Sequence, residues 1–114
     1  MATVTLYTPI ISFQNAQSNK LKLYCHVLNV CNQPRTGTIQ IKDAGGNPLS
    51  TVSYNNLQPD GGTGTSAPLY IPSNSAAVGL VYAKVTVIGA ATDIRASLVL
   101  TDLNGNAIVS VEAH

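Results

Sequence analysis

Two cysteines and a histidine lie close together in the first third of the chain, at Cys25, His26 and Cys31. Thiolate and imidazole groups bind zinc, but a zinc site takes four ligands, usually from closely spaced Cys or His pairs. Cys25 and His26 are neighbours, and neighbouring side chains of a strand point to opposite faces of the sheet. We therefore expect a packed thiol and an outward imidazole, with no metal site and no bound cofactor.

A disulfide between Cys25 and Cys31 needs their Cα atoms within about 7 Å. On one extended strand these atoms would be about 20 Å apart. A bridge forms only if the strand ends near Asn29 and the chain folds back. The sequence favours two free, buried thiols.

Nucleophilic catalysis needs a base within hydrogen-bonding reach of a serine, threonine or cysteine. The chain has two histidines, His26 and the terminal His114, and no Gly-x-Ser-x-Gly elbow. The Gly-rich segment 59–65 lacks the lysine and the following helix of a phosphate-binding loop. We therefore expect a protein that is not an enzyme, with a connecting loop at this segment.

Asp43 and Asp102 lie in two segments, 39–49 and 98–108, that share one pattern. In each, apolar residues alternate with other residues before the aspartate, and Gly-Asn follows it before the next apolar residue. Calcium would require six or more oxygen ligands, which neither segment supplies. Asp, Asn and Gly instead suit tight turns, so both segments are predicted to be hairpins. The similarity fits two hairpins with the same turn chemistry, the simpler interpretation, or an old duplication of a half-domain.

The whole chain alternates between strand-like runs and clusters of Gly, Pro, Asn and Ser, with a turn about every eight to twelve residues. No window has a sustained helical period, and segment 73–77 is the one candidate for a helical turn. This spacing is typical of a sandwich or barrel. The predicted strands are 2–7, 10–13, 20–30, 37–43, 48–54, 63–70, 79–88, 93–101 and 106–112.

Alternation within these runs separates an inner face from an outer one. The predicted core positions include Leu23, Cys25, Val27, Ile39, Ile41, Val81, Ala83, Val85, Val87, Ile94, Ala96, Leu98 and Leu100. The intervening residues, such as Arg95 and Ser97, are expected to face water.

The charge of the chain is low, with 10% charged residues and a formal net charge of +1. There is no basic stripe that could neutralise phosphates, so we expect no nucleic-acid partner. No apolar run is long enough to span a membrane, and the first residues do not resemble a signal peptide. A cytoplasmic location is the default expectation, and an exported or virion protein is an open alternative.

Aromatic and apolar side chains occupy several outer-face positions, where a wet sheet would normally carry charge and threonine. They are Tyr24, His26 and Leu28 in one run and Tyr82 in another. Such groups mark an interface or pair across strands. We predict that the outer face of run 20–30 contributes to a contact between copies of the chain, with Tyr82 nearby on another strand.

The middle of the chain resembles small bacterial immunoglobulin-like sandwich modules. The residues that carry the resemblance are the segments 28–30, 37–41, 43–49, 57–59, 61–63 and 79–85. The strand order is also similar to that of the soluble sensory-rhodopsin transducers, single-domain sandwiches that assemble as homotetramers. The resemblance implies a sandwich that acts through its surfaces, as an oligomer, and it transfers no functional residue.

Together these observations predict one all-β domain, residues 1–114, folded as an antiparallel β-sandwich of seven to nine strands with Greek-key-like connections. The expected function is a non-enzymatic structural or interaction module that self-associates and presents its loops to a protein partner. The alternative is a sandwich that binds a small ligand such as a carbohydrate, against which the absence of tryptophan counts.

Overall fold

The computed structural model describes residues 2–12, 21–43, 45–66, 69–71, 80–102 and 104–114. The candidate helical turn at 73–77 lies outside these residues. A 3-10 turn at Ala91–Asp93 is the one helical element within them. Ten strands account for most of the described chain: β1 Thr3–Tyr7, β2 Ile11–Ser12, β3 Leu21–Asn29, β4 Arg35–Asp43, β5 Pro48–Leu57, β6 Gly62–Thr65, β7 Leu69–Ile71, β8 Leu80–Ile88, β9 Ile94–Asp102 and β10 Ala107–Glu112.

The strands form two antiparallel sheets that pack face to face, which confirms the predicted all-β sandwich. The first sheet has the order β1-β8-β4-β5, with β2 also paired to β8. The second has the order β10-β9-β3-β6, with β7 also paired to β3. The predicted run 63–70 is divided into β6 and β7, so nine predicted runs correspond to ten strands.

The core lies between the sheets and contains the residues that the alternation assigned to it. Leu23 and Cys25 of β3, Ile41 of β4, Ala83 of β8 and Leu98 of β9 are completely buried. Because alternate residues of a strand point to opposite faces, each of these strands also has a water-facing side. The sandwich therefore has two outer faces, one on each sheet.

The two sheets are related by an internal two-fold correspondence in which each strand matches the strand five places later. The first sheet, listed from its other edge, has the order β5-β4-β8-β1. If five is added to each strand number, and β1 is counted as following β10, this order becomes β10-β9-β3-β6, the order of the second sheet. β3 and β8 are therefore exchanged, since each pairs within the sheet built mainly from the other half. Two hairpins that merely shared a turn would not produce this arrangement of all ten strands.

The correspondence extends to individual hydrogen bonds at the breaks between β1 and β2 and between β6 and β7. The Ala83 amide donates to the Thr8 hydroxyl at 2.9 Å, and the Cys25 amide donates to the Ser66 hydroxyl at 2.9 Å. In return the Thr8 amide donates to the Ala83 carbonyl, and the Ser66 amide to the Cys25 carbonyl. At each break the neighbouring strand has a buried amide that no backbone carbonyl accepts from, and the hydroxyl of Thr8 or Ser66 accepts its hydrogen bond instead.

The Asp43 and Asp102 turns also match. One carboxylate oxygen of Asp102 accepts from the amides of Asn104 and Asn106, and the other accepts from the Asn106 side chain at 3.1 Å. Asp43 makes the same three contacts with the segment 45–47. The predicted turn chemistry is confirmed, and a strand bulge follows at the same place in both hairpins.

The two halves differ in packing and in one register. Gly64 leaves space for the Tyr54 ring, because a Cβ there would lie 2.6 Å from the ring. The counterparts of these residues are Leu6 and Ala113, so the large and small side chains have changed places. The pairing of β4 with β8 is also displaced by two residues from that of β9 with β3.

Candidate functional site

A groove of about 500 Å³ crosses the outer face of the second sheet, which is the face where run 20–30 places Tyr24, His26 and Leu28. Four strands contribute to it, and the strand register arranges their side chains in two rows across the sheet. His26 lies opposite Thr65 and Ser97, and Leu28 lies opposite Thr63 and Arg95. Glu112 of β10 extends the first row, because it lies opposite Ser97.

The aromatic part of this face is a stack of two neighbouring side chains of β3. The rings of Tyr24 and His26 have centroids 5.7 Å apart and an interplanar angle of 23°. His26 Nδ1 also lies 3.1 Å from the Thr65 hydroxyl, so the imidazole is held between β3 and β6. Tyr24 is half-buried while His26 is exposed, so the stack holds in place the His26 ring, which lines the groove.

The polar part of the groove offers both signs of charge together with hydroxyl groups. Arg95 and Glu112 are exposed, and Ser97, on the same strand as Arg95, lies opposite Glu112. Arginine presents a planar set of donors, a carboxylate accepts, and hydroxyls do both. The groove can therefore form several directed hydrogen bonds with a polar ligand, with Leu28 as an apolar contact.

The His26–Thr65 pair does not have the arrangement of a nucleophile with its base. A catalytic histidine is oriented by a third group, usually a carboxylate on its other nitrogen. Within the described part of the chain, the contact recorded for the imidazole nitrogens is the one to Thr65. The described residues also contain no group of three potential metal ligands.

The structure brings together three of the four predicted interface residues and separates the fourth. Tyr24, His26 and Leu28 share the outer face of the second sheet, whereas Tyr82 belongs to β8 in the first sheet. There its ring lies 6.4 Å from that of Tyr7. The expectation that Tyr82 would lie near the others was wrong, because β8 pairs with β1 and β4 and not with β3.

Tyr82 is the internal counterpart of Tyr24. The hydrogen-bonded residues Thr8 and Ser66 set the alignment, and they place positions 24 and 82 in equivalent strands. The chain therefore has two tyrosine-bearing outer faces on opposite sides of the sandwich. The larger of the two cavities described lies on the Tyr24 face.

Several groove residues were not identified from the sequence. Alternation did place Arg95 and Ser97 on an outer face, but it could not show that β9 lies beside β3. Thr63, Thr65 and Glu112 were also missed, because their contribution depends on β6 and β10 flanking that pair of strands. Strand neighbours distant in the chain leave no local pattern.

The cysteines contribute no bond to this site. Both thiols are free, as predicted, and Cys25 points into the core. Burial raises the pKa of the Cys25 thiol to about 12, so it stays protonated at neutral pH. Cys31 was expected to be buried, but it is only partly so, because it follows β3 in the turn towards β4.

No protein-family model matches this chain, and no curated protein matches it at the significance required. Among the described residues, no helix is long and apolar enough to cross a bilayer.

Proposed function

We propose that this chain is a non-enzymatic interaction module that self-associates and binds a protein partner in the groove on the outer face of its second sheet. The observation that carries the proposal is the groove itself, which His26 and Leu28 of β3 line on the outer face of the second sheet. The resemblance to immunoglobulin-like modules supports the same function, since such sandwiches act through their surfaces.

The groove suits a protein segment because it combines an apolar contact with groups that pair to a polypeptide backbone. Leu28 and the His26 ring, which stacks on Tyr24, supply the apolar and aromatic surface, while Arg95 and Glu112 supply a donor set and an acceptor. Aromatic residues and arginine are enriched among the residues that dominate binding energy at interfaces. The row that contains His26 crosses four strands, so the binding surface is roughly 14 Å long at about 4.8 Å per strand spacing.

A selection from a displayed random-peptide library tests the groove directly. We expect peptides that bind the wild type, lose at least about tenfold in affinity to Leu28→Glu, and keep their affinity for Thr86→Glu. A glutamate at position 28 removes the apolar contact and pairs with Arg95 on the opposite strand, so both groups are lost to the peptide. Thr86 is the matched control because it is the counterpart of Leu28 on the outer face of the first sheet.

Peptides insensitive to Leu28→Glu would contradict the assignment of the groove, and a library that yields no binder would contradict a protein partner. Circular dichroism of both variants provides the folding control.

Binding of a small ligand such as a carbohydrate is the second candidate, favoured by the hydroxyls of Thr63, Thr65 and Ser97 beside two charged groups. A glycan array probed with the wild type and with Arg95→Ala separates the two candidates. Glycans that bind the wild type and are lost by Arg95→Ala would favour this second function. Absence of glycan binding together with peptide binding would favour the first.

A further inference from the structure

The two outermost strands β5 and β10 are counterparts, yet they present very different edges. Each is the last strand of its sheet, so the outer side of its backbone pairs with no other strand of that sheet among the described residues. β5 begins with Pro48, which has no amide hydrogen, and exposes Thr51 and Ser53. Proline and polar residues are among the devices that prevent a sheet edge from pairing with another chain.

β10 has a far less protected edge. Its first four residues, Ala107, Ile108, Val109 and Ser110, are all exposed, with 57% of Ile108 and 38% of Val109 accessible. The β5 counterparts of Ile108 and Val109 are Leu49 and Ser50, and both are half-buried. The bulge that follows each turn is common to both hairpins and does not distinguish them. The exposed apolar residues of β10 therefore need another explanation.

We propose that β10 pairs with β10 of a second copy of this chain, antiparallel and about a two-fold axis, to join the two second sheets into one continuous sheet. This inference rests on the self-association part of the proposed function and names the surface that makes it. A two-fold contact is closed, so it gives a dimer and not a filament.

The hydrogen-bond pattern shows which backbone groups are free for this pairing. The Ala113 amide donates to the Ala96 carbonyl of β9. Since the bonding direction alternates along a strand, residues 109 and 111 also point to β9, and residues 110 and 112 point away from it. His114, just beyond β10, also points away from β9, and its amide and carbonyl are already bonded to Tyr7 of β1. The amide and carbonyl of Ser110 are therefore the central outward pair, and they bond the same groups of the partner.

Charge and apolar contact select the register centred on Ser110. In this register Val109 lies opposite the partner's Val111, and Glu112 lies opposite the partner's Ile108. The two Glu112 carboxylates are then about 14 Å apart along the strands, well beyond the screening length of about 8 Å. A register centred on Val111 would bring these carboxylates close together and leave Val109 beside the small Ala113.

The dimer leaves both grooves open on one side of the joined sheet. A two-fold axis that pairs antiparallel edges runs perpendicular to the sheet, so the outer faces of the two copies point the same way. Glu112 belongs both to the groove and to the paired strand. The joined sheet thus places two grooves side by side, which increases avidity for a partner with repeated segments.

Sedimentation and light scattering of the full chain test the edge, with Ser110→Pro as the main variant. We expect the wild type at twice the monomer mass of 11.9 kDa. Ser110→Pro removes one outward amide from each copy without disturbing β9, and two lost hydrogen bonds weaken dimerisation about thirtyfold. Thr51→Pro, the counterpart on β5, should leave the dimer intact. Val109→Lys, which keeps every amide, should also weaken the dimer.

Cross-linking tests the register. In a Cys31→Ser background, Ser110→Cys should form a disulfide-linked dimer on oxidation, because the two Cα atoms would be about 5.5 Å apart. The equivalent Thr51→Cys variant should remain monomeric on a non-reducing gel. An absence of the Ser110→Cys cross-link would overturn the register, and dimers unaffected by Ser110→Pro and Val109→Lys would overturn the edge contact.

The outcomes separate this inference from the proposed function. A wild type that is monomeric at high micromolar concentration would refute both self-association and the edge contact. A dimer that Leu28→Glu dissociates and Ser110→Pro does not would place the contact on the outer face, which refutes the edge contact alone. Circular dichroism shows that each variant is folded.

Discussion

Asn29 is a fully buried polar residue at the end of β3, and its side chain ties three parts of the backbone together. Its amide donates to the carbonyls of Gln33 and Leu57, both at 2.9 Å, and its oxygen accepts from the Cys31 amide. These bonds turn the chain from β3 towards β4 and hold the end of β5. The internal counterpart, Val87, is equally buried but apolar.

We expect Asn29→Val to destabilise the protein by about 2–4 kcal/mol, although valine occupies the equivalent place in the other half. The variant leaves buried carbonyl and amide groups without partners, which costs more than the bonds themselves. Chemical denaturation measures the change, with the exposed Asn55→Val as control. A loss below about 0.5 kcal/mol, typical of surface substitutions, would show that water replaces the amide.

The hairpin turns are the elements whose geometry follows most directly from their residues. The Asn106 amide, followed by its side chain, lowers the pKa of the Asp102 carboxyl by donating hydrogen bonds to it. The pKa of Asp43 is lowered in the same way by Asn47. A carboxyl whose pKa is lower in the folded than in the unfolded protein stabilises the folded state at pH values above the unfolded-state pKa. This stabilisation is lost as the pH falls through the folded-state pKa.

Stability should therefore decline as the pH falls below about 4, near the unfolded pKa of aspartate. Asp102→Asn should lower the melting temperature at pH 7 and reduce its dependence on pH between 5 and 2. Thermal melts across this range provide the measurement, and Asp60→Asn is the control because Asp60 makes no carboxylate bond of this kind among the described contacts. An unchanged pH dependence in Asp102→Asn would contradict the role of this turn.

At the scale of the whole molecule, the internal two-fold correspondence is the main finding. The matched hydrogen bonds at Thr8 and Ser66, the matched aspartate turns and the exchange of β3 and β8 support the duplication of a half-domain over convergence of two hairpins. An exchanged strand in each sheet is the arrangement expected if an ancestral pair of half-domains swapped this strand and was later joined into one chain.

The correspondence makes a testable prediction about chain order. A circular permutant that begins at Asp60 and ends at Pro59 keeps the same succession of strands. His114 bonds to Tyr7, which lies about 17 Å along β1 from Ala2, so a linker of about eight residues can join the ends. We expect this permutant to fold with the circular dichroism spectrum of the wild type.

A second permutant, opened between Tyr24 and Cys25 inside β3, is the control and should fail to fold, because it divides a central strand. A third protein, the wild-type chain with the linker added after His114, controls for the linker itself. If this protein were folded and the Asp60 permutant were unfolded, the two halves would not be interchangeable in the way the strand order indicates.

The sequence by itself determined the all-β class, the faces of the strands and the chemistry of the two turns. These properties depend on short-range rules: side chains alternate with period two along a strand, and Asp, Asn and Gly favour tight turns through their own backbone contacts. The alternation around Leu23, Cys25 and Val27 therefore predicted correctly which face of the strand is buried, although the neighbouring strands were not known.

Only the tertiary structure decided which strands are neighbours. The separation of Tyr82 from Tyr24, the groove between β6, β3, β9 and β10, and the unpaired edge of β10 all follow from pairings between strands far apart in the chain. The two halves have similar strands, and local pattern does not show that β3 and β8 exchange sheets. That exchange depends on how the apolar faces of all ten strands are buried together, which is a property of the packed molecule.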